Sequence, residues 1–162
     1  IAQCLVGSEM CIRDRAGHVF RNLPYNTHGY FSKDSTIQNL SAVTAACIMT
    51  KKSIYEEVGY MDEGFKVAFN DVDFCLKIRQ TGKLIVYNPY AKLWHYESKS
   101  RGYEDTQEKR ERFKGEIDRF HEKWGGFLEK GDPYYNINLR LDSDQYAIKQ
   151  EKVRRINQGD SG

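Results

Sequence analysis

Residues 69–82 read FNDVDFCLKIRQTG, and this stretch decides the fold class that the sequence predicts. Asn70 is a residue type that caps helices, Asp73 follows it in a variant of the capping box, and Gly82 is a typical helix end. One helical face carries Val72, Cys75, Leu76 and Arg79, with Ile78 beside them. The stretch therefore predicts an α-helix with an acidic first turn.

The elements on either side of this helix predict a sheet. Ala42–Met49 is a continuous run of small apolar residues, typical of a strand covered on both faces in a parallel or mixed sheet. A short helix is predicted for Lys51–Val58, where Gly59 ends it. Leu84–Tyr87 predicts a further strand, and Ala91–Tyr96 continues in extended form. This order of elements is typical of a mixed α/β fold.

The C-terminal part contains the clearest helical pattern. From Glu104 to Trp124 the large apolar residues recur with helical spacing, at Phe113, Ile117, Phe120 and Trp124. Gly125 and Gly126 are predicted to end this helix. The chain is thus expected to divide into an α/β part at 16–103, which starts with an ordered loop, an amphipathic helix at 104–126 and an extended tail at 127–162.

The first fifteen residues do not fit this pattern. Residues 1–15 lack helical and strand periodicity, and the stretch CLVGSEMCIRDR at 4–15 resembles a translated sequencing-adaptor peptide. We expect residues 1–15 to be foreign to the fold. The alternative is a genuine disordered N-terminus.

Composition excludes several classes of protein. The 162 residues suffice for one domain, and the net charge of +2 comes without a basic stripe, which disfavours nucleic-acid binding. The longest apolar run is far shorter than the ~20 residues of a transmembrane helix. No secretory signal precedes it. We expect a soluble chain without a transmembrane segment.

The cysteines point to a reducing compartment. The sequence contains Cys4, Cys11, Cys47 and Cys75, without a Cys-x-x-Cys pair, so a zinc site is not predicted. Cys47 and Cys75 lie in apolar patterns and are expected to be small buried side chains. The predicted location is the cytoplasm, with the inner face of the cytoplasmic membrane as a variant.

Several motifs, in order, resemble family 2 glycosyltransferases. They are the segments 41–47 (SAVTAAC), 57–63 (EVGYMDE), 69–79 (FNDVDFCLKIR), 94–98 (WHYES) and 100–102 (SRG). The branch that makes bacterial surface polysaccharides is also similar at 132–136 (DPYYN) and 141–143 (LDS). The resemblance covers residues 16 to about 147. It implies the C-terminal half of a GT-A fold, a Rossmann-like mixed sheet with flanking helices.

The chain also departs from the family pattern. The family's nucleotide-binding half, with its Asp-x-Asp metal motif, is expected before Ala16 and is not in the sequence. Ala45 stands where many relatives have glycine. We therefore expect a fragment of an inverting glycosyltransferase that is inactive alone.

The resemblance implies that Asp71 is the catalytic base. In an inverting transfer from a nucleotide-sugar, the hydroxyl of a glycan or lipid-linked acceptor loses its proton as it attacks. Asp71 matches the family position for the group that takes this proton, and Asn70 and Asp73 are expected beside the substrate. The alternative is that these three residues only cap a helix and complement its dipole.

Other candidate residues follow the same resemblance. His95 matches a ligand of the diphosphate-bound divalent metal, Mn²⁺ or Mg²⁺, although a histidine packed at a strand end is the alternative. Arg101, next to Lys99 in a loop, is expected to contact phosphate, or else to be a solvated surface residue. Thr44, Ala45 and Ala46 are expected beside the donor sugar, or else allow a helix to pack closely.

A different class of function is also compatible with the sequence. The apolar stripe of the C-terminal helix and the tyrosines of the tail are compatible with a non-catalytic carbohydrate-binding or partner-docking module. Asp71 and His95 facing one cleft would favour the enzyme.

Overall fold

A computed structural model describes residues 28–92, 106–140 and 146–149 of the chain, together with the backbone of two short strands before them. These strands are β1, Met10–Ile12, and β2, Ala16–His18, which pair antiparallel. β1 lies within residues 1–15, for which the sequence predicts no strand.

The remaining elements follow in the order strand, two helices, strand and long helix. They are β3 (Gln38–Leu40), α1 (Lys52–Glu57), α2 (Asn70–Gln80), β4 (Ile85–Tyr87) and α3 (Gln107–Lys130). Short 3₁₀ turns lie at Tyr30–Ser35 and Ala45–Cys47. β3 and β4 pair antiparallel, with Leu40 opposite Ile85. The described residues thus combine helices and strands, compatible with an α/β protein, although each of their sheets has two strands.

The core forms where α2 packs between β4 and α3. The buried side of α2 consists of Val72, Asp73, Phe74, Cys75, Leu76 and Ile78. Leu40, Ile85 and Tyr87 meet it from the β3–β4 pair, and Phe120 and Trp124 meet it from α3. Burial of this many large apolar side chains supplies most of the driving force for folding.

The predicted ends of α1 and α2 are confirmed. Gly59 and Gly82 follow these helices with φ values of +73° and +80°, in the left-handed region that glycine adopts without steric cost. The strand predicted at Leu84–Tyr87 is also confirmed, as β4. The extended segment predicted at Ala91–Tyr96 lies mostly outside the described residues.

The strand predicted at Ala42–Met49 is wrong. Only residues 42–44 are buried, and the chain then turns into the 3₁₀ segment Ala45–Cys47. The backbone N–H of Ala45 is bonded to Asp71, and that of Ala46 to the Thr44 hydroxyl. Since these amides already have side-chain partners, they cannot join a sheet ladder. Cys47 is accordingly half-buried rather than buried.

The predicted end of the long helix is also wrong. α3 continues through Gly125 and Gly126 to Lys130, and Gly131 ends it with φ of +76°. Phe127 and Leu128 pack against the core, and their burial offsets the low helix propensity of the two glycines.

The tail is not simply extended. Its described residues, 131–140 and 146–149, contain turns, with Tyr135, Leu139 and Tyr146 buried together and Tyr30 packed against them. No helix in the described ranges is long and apolar enough to cross a bilayer.

Candidate functional site

The start of α2 is set by an unusual residue. Phe69 precedes the helix with φ of +64° and ψ of −1°, and its carbonyl accepts the first helical bond, from the Asp73 amide at 2.8 Å. Asn70 is already helical, so the prediction that it caps the helix from outside is wrong. Its Oδ1 instead accepts from the Asp71 amide at 2.8 Å. The side chain still satisfies one of the free amides of the first turn.

Asp71 contacts the segment that the sequence placed beside the donor sugar. Its Oδ2 accepts from the Ala45 amide at 3.2 Å, and its Oδ1 accepts from the Val72 amide at 2.9 Å. The structure therefore brings Asp71 and Ala45 together across 26 positions of sequence. Each oxygen of an ionised carboxylate can accept a further hydrogen bond, so the half-buried side chain keeps the capacity to accept from a hydroxyl.

The segment around Ala45 presents small side chains at this place. Thr44 is buried, and its hydroxyl holds the Ala46 amide at 3.3 Å. Ala45 and Ala46 are exposed, and each side chain is a single methyl group. They do not support a helix packed directly on them, which was the alternative.

Asp73 is directed to the interior instead. Its side chain is fully buried, and Oδ1 accepts from the Trp124 indole at 2.9 Å and from Lys123 at 2.6 Å. Lys77 Nζ lies 3.5 Å from the other oxygen. Asp73 is therefore neither a cap nor within reach of a ligand at Asp71. It ties α2 to α3.

Lys123 links this buried carboxylate to a second one. Its Nζ also lies 2.9 Å from Asp62 Oδ2, and Asp62 accepts from the Gly64 amide and from Arg119. Burial alone would lower the pKa of Lys123, but the hydrogen bonds that it donates to Asp62 and Asp73 raise this pKa above its ordinary value. The hydrogen bond from Lys123 is the main cause that holds the pKa of Asp62 well below its usual range.

A second polar network supports the other side of the Thr44 segment. Ser41 donates to Asp132 Oδ1 at 2.5 Å and accepts from Arg79 at 2.6 Å. The Arg79 guanidinium lies over the rings of Phe127 and Tyr134, with 5.3 and 5.1 Å to the centroids. Burial raises the pKa of Asp132 above its ordinary value, although the hydrogen bonds from Ser41 and from the Tyr134 amide lower it. The DPYYN motif thus anchors the chain just before Thr44.

Sequence reasoning missed one buried acid near the site. Glu116 accepts from the amides of Val67 and Ala68, which lie just before Phe69. It belongs to the buried side of α3, between Phe113 and Phe120. A glutamate on an apolar stripe is the signal that could have identified it, since buried acids require specific partners.

His95 and Arg101 lie outside the residues that the structure describes, and so does the segment between them. Whether His95 faces Asp71 stays a prediction. Within residues 28–92, 106–140 and 146–149, no group of three or more His, Cys, Asp or Glu side chains could hold a metal ion.

Comparison with known proteins gives two relatives. The chain is 43% identical over 138 residues to "Uncharacterized protein y4gI" of Sinorhizobium fredii (strain NBRC 101917 / NGR234), covering 85% of this chain and 15% of that protein. It is 31% identical over 136 residues to "O-antigen biosynthesis protein RfbC" of Myxococcus xanthus, covering 83% of this chain and 10% of that protein. The chain therefore spans only a small part of each relative. No protein-family model and no solved structure matches it.

Proposed function

We propose that this chain is the acceptor-side part of an inverting glycosyltransferase that works in polysaccharide biosynthesis. The observation that carries the proposal is the hydrogen bond between Asp71 and the Ala45 amide, at 3.2 Å. It joins two motifs that resemble family 2 glycosyltransferases. The similarity to a protein named for O-antigen biosynthesis supports a role in polysaccharide biosynthesis.

In the proposed reaction, Asp71 is the general base. The acceptor hydroxyl attacks the anomeric carbon of the nucleotide-sugar, and its proton passes to an Asp71 oxygen as the new C–O bond forms. The bond from the anomeric carbon to the diphosphate breaks, and the nucleotide diphosphate leaves with the electron pair. The bonds from the Ala45 and Val72 amides fix the carboxylate in one orientation, which favours in-line attack.

The described residues do not fit a metal site. Both oxygens of Asp73 face Lys123, Trp124 or Lys77, and Asp71 has no second acid or histidine completing a cluster of three in the described ranges. The divalent cation, with His95 as its ligand, and the phosphate contact of Arg101 therefore stay expectations from the family resemblance. No step of the proposed reaction passes through them.

The test is Asp71→Asn in the intact protein that contains this chain. Transfer of labelled sugar is measured from a panel of uridine, guanosine and thymidine diphosphate sugars to a lipid-linked acceptor. Loss of a general base should lower kcat by about 10²–10⁴-fold, with donor affinity unchanged.

Asp118→Asn is the matched control, because Asp118 is an exposed aspartate of α3. It should retain normal kcat. Normal kcat in Asp71→Asn would reject Asp71 as the base.

The alternative of a non-catalytic binding module receives less support from the described residues. Phe120 and Trp124 of the apolar stripe are buried in the core, and the tail residues Tyr135 and Tyr146 stack on each other in the interior. These aromatic side chains therefore do not offer a face to a carbohydrate or a partner.

A further inference from the structure

A buried side chain of α3 holds the part of the loop that directly precedes α2. Glu116 is 4% exposed, and its two oxygens accept from consecutive amides, Val67 at 3.0 Å and Ala68 at 2.9 Å. Arg112 Nε lies 3.9 Å from the same carboxylate and offsets part of its charge. A buried carboxylate is tolerated when it is bonded in this way, and the paired bonds fix the direction of the loop.

The residue that follows needs this restraint. Phe69 has φ of +64°, a left-handed conformation that is unfavourable for a residue with a side chain. Its ring stacks on Phe113 and Phe120, with centroid distances of 5.9 and 5.0 Å. Phe113, Glu116 and Phe120 lie on one side of α3, so this helix holds both the backbone before Phe69 and its ring.

The restraint determines where Asp71 lies. Only Phe69 and Asn70 separate Ala68 from Asp71, and the Phe69 carbonyl begins the hydrogen bonding of α2. A change in the direction of the loop would turn the first residues of the helix. The Asp71 carboxylate would then move relative to the Ala45 amide.

We infer that Glu116 is a positioning residue for Asp71. It acts through the backbone of Val67 and Ala68 and touches no substrate itself. The catalytic consequence rests on the proposed function of Asp71, whereas the structural coupling does not.

The coupling is tested by amide hydrogen exchange in the full chain. Glu116→Gln presents an NH₂ group to one of the two amides and removes the charge from both bonds. We expect exchange to speed up by about tenfold or more at Val67, Ala68 and Ala45, relative to Leu76 in the middle of α2. Glu122→Gln, the same change at an exposed position of α3, should leave all four rates unchanged.

Other outcomes would overturn the inference. Faster exchange at Val67 and Ala68 with an unchanged Ala45 would make Glu116 a local clamp without effect on Asp71. Should Glu116→Gln unfold the chain, Glu116→Asp keeps the charge on a shorter side chain that cannot reach both amides. Equal acceleration at Ala45 and Leu76 in that variant would show general destabilisation instead.

A kinetic measurement in the intact protein separates this inference from the proposed function. Glu116→Gln should lower kcat about tenfold with the donor KM unchanged, and Glu122→Gln should have no effect. If Asp71→Asn has normal kcat while the Ala45 amide still responds to Glu116→Gln, the proposed function fails and the positioning stands. If Asp71→Asn loses kcat but the Ala45 amide does not respond, only the positioning fails.

Discussion

Replacement of both Gly125 and Gly126 by alanine should stabilise the protein. Both glycines lie inside α3, neither has a positive φ, and a Cβ atom added at either position would meet nothing within 4 Å. Glycine in a helix interior is about 0.5–1 kcal/mol less favourable than alanine. The double variant should therefore gain about 1–2 kcal/mol.

Urea denaturation followed by far-ultraviolet circular dichroism measures this gain. With m of about 2 kcal/mol/M, the midpoint should rise by about 0.5–1 M at constant m. Gly131→Ala is the opposing control, because Gly131 has φ of +76° and ψ of 168°, a conformation nearly restricted to glycine, and alanine there costs about 1–3 kcal/mol.

The sign of the change tests where α3 ends. If the helix ended at the glycine pair, as the sequence predicts, alanine would be forced into a left-handed cap and the midpoint would fall. A lower midpoint for the double variant would therefore refute the continuous helix.

Two further predictions concern the loss of stability at acidic pH and the effect of a substitution in the core. Because the folded pKa of Asp62 is below the ordinary 3.8, its contribution to stability is complete above that pH and is lost as pH falls below it. The effect of Asp132 has the opposite sign, since its raised pKa means that stability falls as pH rises past 3.8. Asp62→Asn should reduce the loss of stability that urea titrations measure as pH falls from 4 to 2, and an unchanged slope would contradict this. Phe120→Ala removes a fully buried ring and should cost about 3–5 kcal/mol in the free energy of unfolding. Phe31→Ala, at a position 84% exposed, should stay within about 0.5 kcal/mol, and equal effects would contradict the assigned core.

Local signals in the sequence predicted the elements that local chemistry determines. Gly59 and Gly82 end their helices because their backbone conformations need glycine, whatever packs nearby. The strand prediction for residues 42–49 was wrong because the Ala45 amide bonds to Asp71, which is distant in the sequence, and the Ala46 amide bonds to Thr44. The predicted end of α3 was wrong because Phe127 and Leu128 pack against the core, and helix propensity alone does not include this tertiary contribution.

Some contacts of the candidate site were predictable from the sequence and others were not. The family resemblance placed Asp71 and Ala45 in one site, and the structure puts them in contact. Trp124, which donates to Asp73, lies 51 positions away from it in the sequence, and Glu116 lies 48–49 positions away from the loop amides that it holds. Pairings at such distances follow from the packing of α2 against α3, which no local pattern specifies.

The two aspartates of the Asp71-Val72-Asp73 triplet cannot share one task. Residues two apart in an α-helix point in directions about 200° apart. Asp71 accordingly faces the exposed segment at Ala45, while Asp73 faces Trp124 and Lys123 in the core. If the triplet lay on an extended loop, both carboxylates could converge on one cation. On this helix Asp73 anchors the fold, so Asp71 is the acid of the triplet to which the proposed function assigns the acceptor hydroxyl.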